Sequence, residues 1–306
     1  MKDSNAPLQA HLSMFTAEAI WGFMAPIAKD AMNAGFDGIS VVSFRVVGAA
    51  LLFWLASLIG PREHIPRRDI VKLAGAAVLG IVFNQCLFNI GLSITSPVNA
   101  SIVTTSMPIF AMVLSFFILK EPITWKKALG VAIGCCGALI LILSSARAGN
   151  AMVGDIRGDL MCIFAQFSFA LYLALFNPII RKYNVFTVNK WMFTWATLFI
   201  LPFSSWHVSQ LPWHAFTTVT WLEVGYVVVL GTFVSYLLSV VAQGVLRPTV
   251  VSVYNYVQPI LSVVVSVAVG MSVFTLPQGV AVVLVFSGVW LVIKSKSKRD
   301  MQKHVE

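Results

Sequence analysis

Charge is what this sequence has least of: Asp and Glu together number 12 among 306 residues, and charged residues of both signs make up only 11%. So little charge cannot give a soluble domain of this length a wettable surface, which excludes an ordinary soluble enzyme or binding module. Cysteine is as sparse. The four, Cys86, Cys135, Cys136 and Cys162, sit inside apolar runs, where neither a disulfide framework nor a metal knuckle is indicated, and they read as packing residues. The five histidines, His11, His64, His207, His214 and His304, fall near the ends of apolar runs or in loops, none in a metal-ligand motif. A nucleophile elbow, an HExxH pair and a phosphate-cradling glycine loop are also missing, so no metal, cofactor or catalytic residue is expected. Asp155 and Asp159 with Arg157 read as a solvated connector rather than an acid/base pair. A membrane enzyme remains the main rival from another class. A receptor or scaffold would normally add a soluble sensor or long tail, which is not seen here, and a channel would need rings of repeated polar groups along one pore.

What is present is hydrophobicity, at 58% of residues and a mean hydropathy of +0.85. Lipid is then the solvent, and roughly 20 apolar residues cross a bilayer as a helix. Apolar runs broken by charge or Gly/Pro clusters predict ten spans, near 10–31, 38–59, 71–92, 97–118, 126–145, 157–179, 188–205, 219–242, 249–270 and 276–293. The first, with Glu18, Pro26 and Lys29 in it, and the short seventh are the least regular. No small-residue cleavage site follows the opening segment, so the first span is expected to be retained.

The net charge of +9 does not form a nucleic-acid surface, because the basic residues cluster between spans. Placing the N-terminus inside puts Arg62/Arg67/Arg68/Lys72, Lys120/Lys126/Lys127, Arg181/Lys182/Lys190, Arg247 and the tail from Lys294 to Lys303 on one side. The other side keeps little beyond Arg147 and Arg157. That asymmetry predicts an even number of spans, both termini cytoplasmic, and an all-α multi-pass membrane protein.

The chain also matches itself at an offset of 151 residues. Leu79-Gly80 falls on Leu230-Gly231, Pro97 on Pro248, Ser101 on Ser252, Pro108-Ile109 on Pro259-Ile260, Ser115 on Ser266 and Gly137 on Gly288. At the front of each half the offset shortens to 148, where Trp21-Gly22 meets Phe169-Ala170 and Glu18 meets Gln166. A duplication is expected: a five-helix repeat over 10–146, a second over 156–294, and a basic cytoplasmic tail over 295–306. With an odd number of spans in each copy, the second must enter the membrane inverted, the arrangement secondary transporters use around a midplane site.

The stretch from Pro97 to Leu143 resembles the end of an EamA domain of the drug/metabolite transporter superfamily. It carries the fourth-span Pro108, the turn Glu121-Pro122 and the glycine-rich fifth span with Gly130, Gly134 and Gly137. Trp21-Gly22 in the first span and Phe44-Arg45 in the second fit the same pattern, and the second copy departs from it at Met271-Ser272, which replace Lys120-Glu121. The resemblance implies two inverted five-helix repeats around a central cavity, and an exporter or exchanger of metabolites, amino acids or drugs working by alternating access. A small organic solute and membrane lipid are the implied partners, with no nucleic acid and no obligate protein partner, and together with the short loops the resemblance implies a bacterial inner membrane, an organellar membrane being the alternative.

Polar side chains at bilayer depth are expensive unless paired or facing water, so they are the functional candidates. Glu18 is the one acid well inside a span. Desolvation there disfavours the charged form, so Glu18 is a candidate to carry a proton or meet a charged substrate; the alternative is a structural pairing with an amide such as Gln166. The string from Ala17 to Gly22 is similar to the first span of small multidrug resistance proteins, in which a membrane Glu serves protons and cationic substrates. Arg45 snorkels to the interface, pairs structurally, or binds a substrate carboxylate. Trp21, Asn84, Thr104, Gln166, Tyr172, Tyr236, Tyr254 and Asn255 are the candidates for a cavity wall, each with an interhelical hydrogen bond or gap-filling as its plainer role. Such a wall suits small organic solutes better than inorganic ions. The fifth-span glycines read as a packing element or subunit contact, and Pro26, Pro108, Pro178 and Pro259 as kinks.

Overall fold

The computed structural model describes residues 6–59, 63–94, 100, 103–104, 106–148, 156–261 and 276–294. It is helical, with no strand among the described residues. We number its helices α1 (Ala6–Asn33), α2 (Gly38–Ala56), α3 (Arg67–Ile94), α4 (Met107–Leu119), α5 (Trp125–Ala148), α6 (Ile156–Ile180), α7 (Val185–Ser209), α8 (Thr218–Val245), α9 (Pro248–Val253) and α10 (Leu276–Ile293). Four of them, α2, α3, α8 and the Leu160–Ile180 part of α6, are long and apolar enough to cross a membrane. Large hydrophobic side chains such as Leu51, Leu55, Phe117, Phe203, Leu222 and Val283 face outward, as lipid rather than water demands.

Local chemistry sets the ends of these helices. Asp37 caps α2, its carboxylate accepting from Ile39 N at 2.8 Å and Ser40 N at 2.9 Å, and Asn184 caps α7 through Phe186 N. After α4 the chain turns at Lys120, whose φ of 52° makes it the only non-glycine in the left-handed region among the described residues. Pro108 stands in the first turn of α4, where its missing N–H goes unneeded, rather than kinking a helix interior as its position in the fourth apolar run suggests. Pro26 and Pro178 lie inside α1 and α6.

Both α3 and α8 contain a six-residue π-helical turn, Val78–Phe83 and Val229–Val234, and the two helices start, widen and end at positions 151 residues apart. A π turn leaves carbonyls with displaced partners, and side chains use them here. Tyr236 Oη donates to Gly80 O at 3.2 Å, and Trp21 Nε1 donates to Gly231 O at 2.9 Å.

Packing runs across the two halves of the chain. α1 lies along α8 and α3 along α6; α2 packs on α7, and α5 on α10. The last pair meets backbone to backbone: a Cβ on Gly288 would lie 2.5 Å from Gly130 O and 2.7 Å from Gly134 N. Gly134 also makes room for the ring of Tyr256, whose hydroxyl donates to Val131 O at 3.2 Å. The fifth-span glycines are thus a contact within the chain. Helix C-termini are closed by basic side chains from within the same half: Lys29 Nζ of α1 donates to Leu92 O and Ser93 O at the end of α3, and Arg181, after α6, to Gln243 O, Val245 O and Leu246 O at the end of α8. The tail over 295–306 lies outside the described residues, as do Pro97, Ser101, Ser266 and Met271-Ser272.

Candidate functional site

A cavity lies where α1, α2, α3, α6 and α8 converge with the segment after α9. Its empty space is about 590 Å³ including its open side, of which about 70 Å³ admits the centre of a water-sized sphere. In this conformation that is room for several waters rather than for a metabolite. Trp21, Asn84, Thr104, Gln166, Tyr236 and Asn255 all line it, six of the eight positions singled out from the sequence.

The other two lie elsewhere. Tyr172 is buried beneath the π turn of α3, its ring against Gly80 and its hydroxyl donating to Gln243 Oε1 at 2.9 Å, so it packs the interface between α6 and α8. The Tyr254 hydroxyl bonds His11 Nδ1 at 2.7 Å, joining the start of α1 to the second half.

Glu18 is fully buried, one helical turn before Trp21 on α1. Its partner is not Gln166. Gln258 Nε2 donates to Oε2 at 2.5 Å, and Asn255, with its NH2 turned toward the carboxylate, reaches Oε1 at 2.6 Å and Oε2 at 3.0 Å. Both amides also line the cavity, so Glu18 sits directly behind its wall. Gly22 allows this approach: a Cβ there would stand 3.1 Å from both Cα and O of Gln258, which draws α1 against the backbone that carries the amides.

Arg45 does not snorkel. It is 3% exposed and lines the cavity, with Nε donating to Thr232 Oγ1 at 2.9 Å and a guanidinium NH2 reaching Gly231 O at 3.5 Å. Gln85 and Asn89, one turn apart on α3, complete the polar wall. Gln85 Nε2 donates to Tyr236 Oη at 3.0 Å, a pair whose members stand 151 residues apart, and Asn89 Nδ2 donates to Gln85 O at 2.8 Å. The apolar wall comes from Met24, Phe88 and Phe169, with Trp21 edge-on to Tyr236 at 5.7 Å. Sequence reasoning passed over Gln85, Asn89 and Gln258. The available signal was helical spacing, since Gln85 and Asn89 share a face and Gln258 follows Asn255 by three residues.

Comparison with known proteins adds the lineage. The model of the EamA-like transporter family matches residues 8–143 and again residues 156–294. The chain belongs to the EamA-like transporter family. Among similar relatives, the uncharacterized transporter YetK of Bacillus subtilis (strain 168) is 22% identical over 95% of this chain and 88% of its own. The uncharacterized transporter YdfC of the same organism is 25% identical over 77% of this chain and 76% of its own. An S-adenosylmethionine/S-adenosylhomocysteine transporter of Chlamydia trachomatis serovar L2 is 30% identical, over only 42% of this chain and 40% of its own. One solved crystal structure superposes with a TM-score of 0.73 at 17% identity, covering 94% of this chain and 99% of the other, which shows a common fold. The protein is a multi-pass membrane protein with the EamA-like fold.

Proposed function

We propose that the protein is a secondary transporter that moves a small organic solute, such as an amino acid, a nucleoside-like metabolite or a drug, as an exporter or exchanger. The observation that carries this reading is a buried carboxylate, Glu18, clamped by two amides that also form the wall of a polar cavity between the two halves. The relatives named for S-adenosylmethionine support an organic metabolite as cargo.

Ten spans in two inverted repeats, 10–146 and 156–294, form the architecture of this proposal. It is supported by the doubled family match, by the identical bounds and π turns of α3 and α8 at the 151-residue offset, and by the reciprocal packing of α1 on α8 and α6 on α3. The lopsided basic loops support both termini, including the tail over 295–306, lying in the cytoplasm of a bacterial cell.

Glu18 supplies the coupling. Asn255, its NH2 turned toward the carboxyl, lies 2.6 Å from Glu18 Oε1. An ionised carboxylate takes the NH2 end, whereas a protonated one donates to the C=O end. A half-turn of one amide therefore converts a change in protonation into an exchange of donor for acceptor at the cavity wall. Alternating access follows if the loaded and protonated forms favour opposite openings. The test is uptake of pooled radiolabelled amino acids and nucleosides into proteoliposomes of the purified protein, with and without a pH gradient. Saturable, gradient-responsive flux supports the reading, and absence of saturable flux for every pool overturns it.

A further inference from the structure

A second cavity shares no residue with the first. It lies between the start of α3 and the end of α6, at the end of these helices where Arg67, Arg68, Lys182 and Lys190 gather. Its empty space is about 610 Å³ including its open side, of which about 310 Å³ admits the centre of a water-sized sphere, several times the room in the central cavity. Asp69, Lys72 and Lys182 form its polar wall, and Leu175, Phe176 and Ile179 of α6 its apolar one.

The order of charge in the polar wall favours an anion. Asp69 is only 5% exposed, its Oδ1 3.3 Å from Lys72 Nζ and its Oδ2 accepting from Lys182 Nζ and from the Tyr183 hydroxyl, each at 2.5 Å. The two ammonium groups are thus held on either side of one carboxylate, while their side chains are 51% and 57% exposed. A ligand that enters meets two accessible positive charges and one covered negative charge, and each ammonium keeps N–H donors beyond the one given to Asp69. The apolar wall continues inward from these charges. Leu175 stands four residues beyond Ile179 towards the middle of α6, about 6 Å by helical rise, and is 45% exposed. Phe176 packs against α3 at Gly75, where an added Cβ would meet its ring at 2.9 Å, which closes the groove along the seam of the two helices. Cations at the helix ends with carbon surface further in reproduce the profile of one lipid leaflet, headgroup outside and acyl chain beneath.

We infer that this groove binds an anionic phospholipid of that leaflet: Lys72 and Lys182 take the phosphate oxygens, and Leu175, Phe176 and Ile179 take the start of an acyl chain. A soluble anion would use the lysines but leave the apolar wall uncovered. A zwitterionic phospholipid would bring a cation of its own beside the two ammonium groups. Lys72 belongs to the first half of the chain and Lys182 to the second, so the bound headgroup spans both and ties α3 to the end of α6 where Asp69 already joins them.

Native mass spectrometry of the full-length protein in detergent measures the affinities of dioleoyl phosphatidylglycerol and dioleoyl phosphatidylcholine, with glycerophosphate and inorganic phosphate as soluble competitors. Phosphatidylglycerol is expected to bind about tenfold more tightly than phosphatidylcholine and to stay bound against either competitor at equal concentration. One lysine near a headgroup is worth roughly a fivefold change in affinity, so Lys72→Gln and Lys182→Gln should each weaken phosphatidylglycerol about fivefold and leave phosphatidylcholine where it was. Arg68→Gln removes the same charge from an exposed position outside the groove and should change little. Equal affinity for the two lipids overturns the site, as does an equal loss in Arg68→Gln, which would mark a general surface charge. Displacement by glycerophosphate or phosphate at equal concentration overturns it too, in favour of a soluble anion. The headgroup and competitor series on wild type decides the matter should a lysine variant fail to fold.

Discussion

Replacing Gly288 with alanine tests the contact between α5 and α10. The new Cβ would stand 2.5 Å from Gly130 O, 2.7 Å from Gly134 N and 2.9 Å from Gly134 Cα, all backbone atoms of the facing helix. No rotamer change relieves such a clash. Ordinary carbon contacts begin near about 3.5 Å, so the helices must part by roughly an ångström and loosen the dispersion contacts along their seam. Overpacking of this kind costs about 1–3 kcal/mol, against about 1 kcal/mol gained from alanine's better helix propensity, which leaves a net loss of up to about 2 kcal/mol and places Gly288→Ala about 1–3 kcal/mol below a substitution that gains the propensity alone. Gly225 on α8 is the control, since nothing lies within 4 Å of the Cβ it would gain. Thermal unfolding of purified protein, followed by tryptophan fluorescence, should show Gly288→Ala below wild type and Gly225→Ala at or above it. A Gly288→Ala midpoint equal to or above that of Gly225→Ala would refute the close approach.

Tyr236→Phe removes the hydroxyl that accepts from Gln85 and donates to Gly80 O, stranding a buried donor. A loss of about 1–3 kcal/mol in denaturant stability is expected, with solute affinity falling as the Gln85 amide is freed. Asp37→Ala uncaps α2 and should cost about 1 kcal/mol by the same assay. Partial burial pushes the Asp37 carboxyl up, but hydrogen bonds from Ser40, the charge of His207 and the Ile39 amide together hold it below the usual carboxylate range. Its folded value being depressed, its contribution is present above the ordinary carboxylate value and fades as pH falls through the folded one. An acid titration of unfolding should therefore show wild type and Asp37→Ala converging at low pH. In the loop between α6 and α7, the Lys182 ammonium is held above its ordinary range by hydrogen bonds with Asp69 and Tyr183. Its stabilisation is complete below the ordinary lysine value and is lost as pH rises through the folded one, so Lys182→Met should lose its stability deficit only in strong alkali.

Much of this arrangement was legible before any coordinates. Apolar run lengths anticipated the helices, because in lipid the backbone must satisfy itself within each segment. The 151-residue offset seen in Leu79-Gly80 and Leu230-Gly231 returns in the matching bounds of α3 and α8. What stayed hidden was azimuth. In a helix that is apolar on every side, hydrophobic periodicity does not say which face meets the other half, so Tyr172 and Tyr254 looked equivalent to Tyr236. The partner of Glu18 was hidden for the same reason: Gln166 is its counterpart at the front offset, but Gly22 draws α1 toward Gln258. For Arg45 the sequence left snorkelling and structural pairing open, because depth along a helix does not reveal that Thr232 and Gly231 from α8 close over it.

The most direct test of the account is pH-gradient-driven uptake by Glu18→Gln in proteoliposomes, beside solute exchange with no gradient. Glutamine fills the same space between Asn255 and Gln258 but cannot release a proton, so the gradient should no longer accelerate uptake while exchange persists. Gradient acceleration undiminished in Glu18→Gln would show that the proton travels elsewhere and that Glu18 only holds the helices together.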